Sequence, residues 1–138
     1  MSLPKITAGG FSSFSLNSNG EIKGYGPDFF RMITDIPKGF GYKDISTAFY
    51  YALAINSNNE IVGWGSMTSH IYHDREREEP IERSEYLKLS SQVGNIPRGN
   101  NYIAVAAGSK YSLALTSKGE IVCCGRKHLI NMLKLPGS

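Results

Sequence analysis

The amino-acid sequence predicts an all-β repeat protein, and three observations carry that expectation. One stretch is written three times without a gap: residues 6–26 (ITAGGFSSFSLNSNGEIKGYG), 45–65 (ISTAFYYALAINSNNEIVGWG) and 105–125 (VAAGSKYSLALTSKGEIVCCG). Within each copy large apolar residues alternate with small ones, which is the period of a strand. Each alternating run then meets a tetrapeptide rich in Asn, Ser and Gly that suits a hairpin turn. A module that recurs in this way cannot bury its apolar face alone, so it stacks on its neighbours.

Taken in order, each copy opens on a short apolar strand led by Ile6, Ile45 or Val105, and small residues follow: Gly9 and Gly10, Ala48, Gly108. The second strand places Phe14 and Leu16, Leu53 and Ile55, Leu113 and Leu115 two residues apart. Ser15, Ala54 and Ala114 lie between them, so one face is bulky and the other admits close approach of a neighbour. Gly20, Asn59 and Gly119 stand where the turn needs a residue tolerant of positive φ. The return strand begins with Glu21, Glu60 or Glu120. A carboxylate beside a tight turn accepts exposed backbone N–H groups, so no catalytic role is assigned to these acids.

A second signature separates the copies: Ile36, Pro37, Lys38 and Gly39 before Tyr42, and Ile96, Pro97, Arg98 and Gly99 before Tyr102. Proline has no N–H to give a ladder, so these are connectors or sheet edges. Phe29, Phe30, Met32 and Ile33 lead into the first connector, as an outer strand or a helical turn. The step between corresponding Glu residues is 39 from Glu21 to Glu60 and 60 from Glu60 to Glu120. The surplus lies in residues 66–95. Residues 74–88 of this insertion hold six acids and four bases. They form a solvated, partly helical or mobile loop, or a docking element that discriminates by charge. Insertions in repeat proteins usually map to loops on one face, often the working face. The expected organisation is therefore one repeat domain, residues 1–138, with modules at about 5–42, 43–101 and 102–138.

Composition narrows the class. The formal net charge of +3 is too mild to point to nucleic acid. Cys123 and Cys124 are adjacent, a spacing that strains a mutual disulfide. No apolar run approaches the length of a membrane span, and residues 1–5 lack the pattern of a secretion signal, so a cytoplasmic location is expected. His70, His73 and Asp74 have spacing compatible with a metal but lack a further ligand, and no metal or cofactor is expected.

The repeated pattern of I-x-A-G, S-L-A-L, G-E-I and a closing W-G, with I-P-x-G-x-x-Y before it, resembles the regulator-of-chromosome-condensation repeat. The agreement is closest at Gly108, Ser112, Leu113, Ala114, Leu115, Gly119, Glu120, Ile121 and Gly125. Ser12, Tyr51 and Tyr111 replace the family's usual His. The resemblance implies four-stranded blades around an axis, a β-propeller. Family propellers carry about seven repeats, more than the three here. Three blades leave two bare apolar faces, and both ends of the chain fall between modules. The expectation is that two copies join head to tail into a six-bladed ring; the competing readings are a piece of a longer propeller and an open three-blade arc capped by the insertion.

The expected function is a non-catalytic propeller that presents blade loops and the charged insertion to a protein partner. Nothing resembles a nucleophile elbow or a paired-acid site. The candidate contacts are Tyr50, Tyr51, Lys110 and Tyr111, which precede the second strands, together with Arg75, Arg77 and Tyr86 in the insertion. Two alternatives remain open. One is capture of a small anion or nucleotide near Gly9, Gly10 and Gly108 by Lys5, Lys110, Arg126 and Lys127. The other is regulation of a small GTPase in the manner of an exchange factor, as the resemblance implies.

Overall fold

The computed structural model describes residues 4–65, 96–108 and 111–125. Each repeat forms one three-stranded antiparallel sheet in the order of its strands. The first holds β1 (Lys5–Ala8), β2 (Ser13–Leu16) and β3 (Ile22–Tyr25); the second β4 (Asp44–Thr47), β5 (Tyr51–Ile55) and β6 (Ile61–Gly65); the third β7 (Tyr102–Ala107), β8 (Tyr111–Thr116) and β9 (Ile121–Gly125).

The hairpin between the second and third strands forms as its residues dictate. Asn17 Oδ1 accepts the backbone N–H of Asn19 and Glu21, and Asn56 Oδ1 accepts those of Asn58 and Glu60. Thr116 Oγ1 does the same for Glu120. The repeated acids brace the turn: the amide groups of Asn17 and Asn56 donate to Glu21 and Glu60. Gly20, Asn59 and Gly119 have φ of 76°, 62° and 85°, the conformation expected of them.

Register decides which residues share a face. Phe14, Leu16 and Ile22 look forward to the second sheet, and Leu53, Ile55 and Ile61 look forward to the third. On the opposite, rear faces are Ile45, Ala54, Val62 and Trp64, then Val105, Ala114 and Val122. Forward face meets rear face twice, producing two apolar layers. The small residues Ala54 and Ala114, 0% and 3% exposed, permit this close stacking. The middle sheet is covered on both sides, and every residue of β5 is buried.

Among the described residues each sheet has three strands, not the four that the resemblance implied. After β3 the chain makes a short 3-10 turn at Phe29–Arg31. Phe30 and Arg31 take φ of 56° and 59°, which interrupts any extended run. Asp28 Oδ1 accepts the N–H groups of Ile33 and Thr34, satisfying them without a strand partner. This connector wedges between the first two sheets. Met32 is 2% exposed, and its carbonyl accepts the Trp64 indole N–H at 2.8 Å. Gly24 admits Ile33 and Ile36 to the forward face, since a Cβ there would lie 2.5 Å from Ile36 Cδ1.

The proline signatures are connectors, as expected, and they stitch one sheet to the next. Tyr42 N–H donates to Gly20 and Tyr102 N–H to Asn59, so each connector is tied to the preceding hairpin turn. Both tyrosine hydroxyls reach back to the residue after proline, Lys38 or Arg98.

Candidate protein-interaction surface

β1, β4 and β7 lie side by side along a shared hub. Asp44 joins all three: one carboxylate oxygen lies 2.5 Å from Lys5 Nζ, and the other accepts Val105 N–H at 2.9 Å. Ser46 Oγ accepts Ala107 N–H nearby. These contacts hold the loops after the first strands on one common rim.

Each of those loops closes in the same way, by Gly9 N–H to Ser12, Ala48 N–H to Tyr51 and Gly108 N–H to Tyr111. They surround a cavity of about 270 Å³ whose lining includes Gly9, Thr47, Phe49 and Gly108. The glycine pair is required by close approach. A Cβ on Gly9 would sit 2.3 Å from the Ala48 carbonyl oxygen, and one on Gly10 would strike the Phe49 ring.

Beside the cavity the rim is aromatic. Phe11, Phe29 and Phe49 are 44%, 50% and 51% exposed. Phe11 meets Phe29 edge-on at 5.1 Å and Phe49 at 6.2 Å between ring centres. Tyr50 joins Phe11, Phe30 and Phe49 at 5.0–6.0 Å. The rings support each other and lose little further side-chain freedom when covered. Such clusters of exposed aromatic groups dominate binding energy where they are found. The third strand of the middle sheet ends at Gly65 on this rim, paired with Tyr51, and the insertion continues from there in sequence.

Of the contacts expected from sequence, Tyr50 belongs to this surface. Tyr51 does not: it is 1% exposed, and its hydroxyl donates to the Gly108 carbonyl at 2.7 Å, with the Tyr111 carbonyl at 3.2 Å. It is a strut between the second and third sheets. Tyr111 is half-buried at the same junction. Lys110, Arg75, Arg77 and Tyr86 lie outside the described residues, as do His70, His73 and Asp74. Phe11, Phe29 and Phe49 are not among the contacts expected from the sequence. A signal existed for Phe11, which occupies the same repeat column as Tyr50 and Lys110.

The anion site expected around the glycines is not assembled by the described residues. Lys5 sits at the far end of β1 in an ion pair with Asp44. The N–H groups of Gly9 and Gly108 are used within their own loops. Gly9, Gly10 and Gly108 do come together, around a hollow whose described lining carries no charged side chain, and Lys110, Arg126 and Lys127 lie outside the described residues.

Face-to-face antiparallel sheets around a hub, with successive loops on one rim, define a segment of a β-propeller. Residues 102–127 match the sequence profile of the Regulator of chromosome condensation (RCC1) repeat, in agreement with the resemblance read in the third copy. A comparison with curated protein sequences gives no match. Among solved structures, the ectodomain of the receptor kinase CR4 from Physcomitrella patens is similar over 88% of this chain and 29% of its own, at 22% identity and a TM-score of 0.63. Prp20p from Saccharomyces cerevisiae, reported with its binding properties to Gsp1p and histones, is similar over 89% and 30%, at 18% identity and 0.58. Human WBSCR16 is similar over 91% and 34%, at 16% identity and 0.57. The chain thus spans about a third of the length of these neighbours.

Proposed function

We propose that this chain is a non-catalytic interaction propeller whose aromatic rim docks a protein partner. The observation that carries this reading is the exposed cluster of Phe11, Phe29 and Phe49 against Tyr50, on the rim where three successive blades present their loops. The charged insertion, with Arg75, Arg77 and Tyr86, follows Gly65 in sequence, and in this reading its charges add discrimination between partners. The same proposal includes a cytoplasmic setting and completion of the ring by a second copy.

Similarity to Prp20p, a protein reported with its binding properties to Gsp1p and histones, supports an interaction role, while the fold by itself names neither the surface nor the partner. Capture from lysate by the chain and by a Phe11→Ser, Phe49→Ser variant tests the reading. Partners held by the rim are lost from the variant, each aromatic side chain accounting for about 2 kcal/mol of binding, while thermal unfolding stays the same. An unchanged set of captured proteins would remove the rim from the account.

A further inference from the structure

We infer that the outer face of the third blade is a docking site for the rear face of the first blade of a second copy. This rests on the reading of the chain as an incomplete ring that a second copy completes, and it assigns the surfaces that meet.

The third blade repeats the chemistry of the two forward faces that are buried inside the chain. Phe14, Leu16 and Ile22 are at most 5% exposed, and Leu53, Ile55 and Ile61 at most 9%, because a following blade covers them. Their counterparts Leu113, Leu115 and Ile121 point the same way from β8 and β9 and are only half-buried. Together with Ala104 and Ala106 they line an apolar hollow of about 220 Å³. An uncovered apolar face of this kind marks an association surface.

The matching knob lies at the other end of the same chain. Ile45 and Val105 lead the rear faces of the second and third blades, are 0% and 6% exposed, and pack into the apolar layer formed with the preceding forward face. Ile6 holds the same position in the first blade and is 84% exposed. Hollow and knob are different surfaces, so the contact is heterologous and closes only if the copies curve into a ring.

The rear face of the first blade is more polar than its interior counterparts. Ser15 replaces Ala54 and Ala114, and Lys23 replaces Val62 and Val122. Lys23 is exposed on the outer strand, from which its stem can lie over apolar surface while the ammonium reaches water. The contact between copies is therefore weaker than the contacts within one, and separable.

Sedimentation velocity on the full chain, with three variants, tests the assignment. Ile6→Arg removes the knob and Ala106→Arg blocks the hollow. Both positions are exposed, so neither change threatens the fold. The wild-type chain is expected to sediment as a dimer, and each variant alone to self-associate at least about tenfold more weakly. An equimolar mixture of the two variants retains one intact knob and one intact hollow and forms a 1:1 complex, weaker than the wild-type dimer. Lys23→Val tightens the dimer. A dimer that survives Ile6→Arg, or a mixture that fails to associate, overturns the pairing of these faces and leaves self-completion standing. A wild-type chain that stays monomeric overturns both, whether residues 126–138 or nothing covers the hollow.

Discussion

Asp44 shows how one side chain holds a repeat protein to its neighbours on both sides. It is 7% exposed, binds Lys5 of the preceding blade and accepts Val105 N–H of the following one. The Lys5 side chain is 45% exposed, so that half of the contact is screened and adds little. The bond to Val105 matters more, because its loss leaves a buried amide without a partner. Asp44→Ala is expected to cost about 2 kcal/mol in urea unfolding, and Asp44→Asn, which retains an acceptor, clearly less. Equal losses for the two would show that the ion pair dominates. Neither Asp44 nor the strut Tyr51 was legible as a linker in the sequence. In the columns of Asp44 the other copies have Lys5 and Ala104, so repetition gave no hint of it. Tyr51 looked like a loop residue because it stands where a loop ends, and only register reveals that it points inward.

Among the elements, the strands and turns followed directly from residue pattern, and the connector did not. Alternation at Phe14 and Leu16, with Asn17 and Gly20 behind them, leaves one way to make a hairpin. Phe29, Phe30, Met32 and Ile33 carry neither period clearly, and their conformation depends on Asp28. That carboxylate accepts the hydroxyl and backbone N–H of Thr34 and the N–H of Ile33. The Thr34 hydroxyl first, then its amide, then that of Ile33 and the nearby Arg31 hold Asp28 below its ordinary range. A lowered carboxylate stabilises the connector above the unfolded value of about 3.9, and that contribution fades as pH falls through the lower folded value. Amide resonances of Ile33 and Thr34, followed by NMR during acid titration, should move with a midpoint below about 3.9. Asp28→Asn should abolish the step. A midpoint at or above the ordinary carboxylate value would contradict the role given to Asp28.

On the scale of the whole molecule, stacked sheets around a common hub were legible from three gapless copies alone. The aromatic rim was legible only at Tyr50, because Phe11, Phe29 and Phe49 come from two loops and a connector that meet only after the blades stack. The difference between the rear face of the first sheet and the forward face of the third also emerges only there, since it depends on which side of each sheet a residue occupies. What holds the molecule together is the burial of apolar faces by stacking of blade on blade. Hydrogen exchange read residue by residue, in dilute and in concentrated solution, measures this most directly. Amides of Tyr51–Ile55 should exchange slowest in both, because among the described residues theirs is the sheet packed between two others, while those of Tyr111–Thr116 should slow on concentration. If β5 exchanges no more slowly than β2 and β8 in dilute solution, the sheets are not stacked as described.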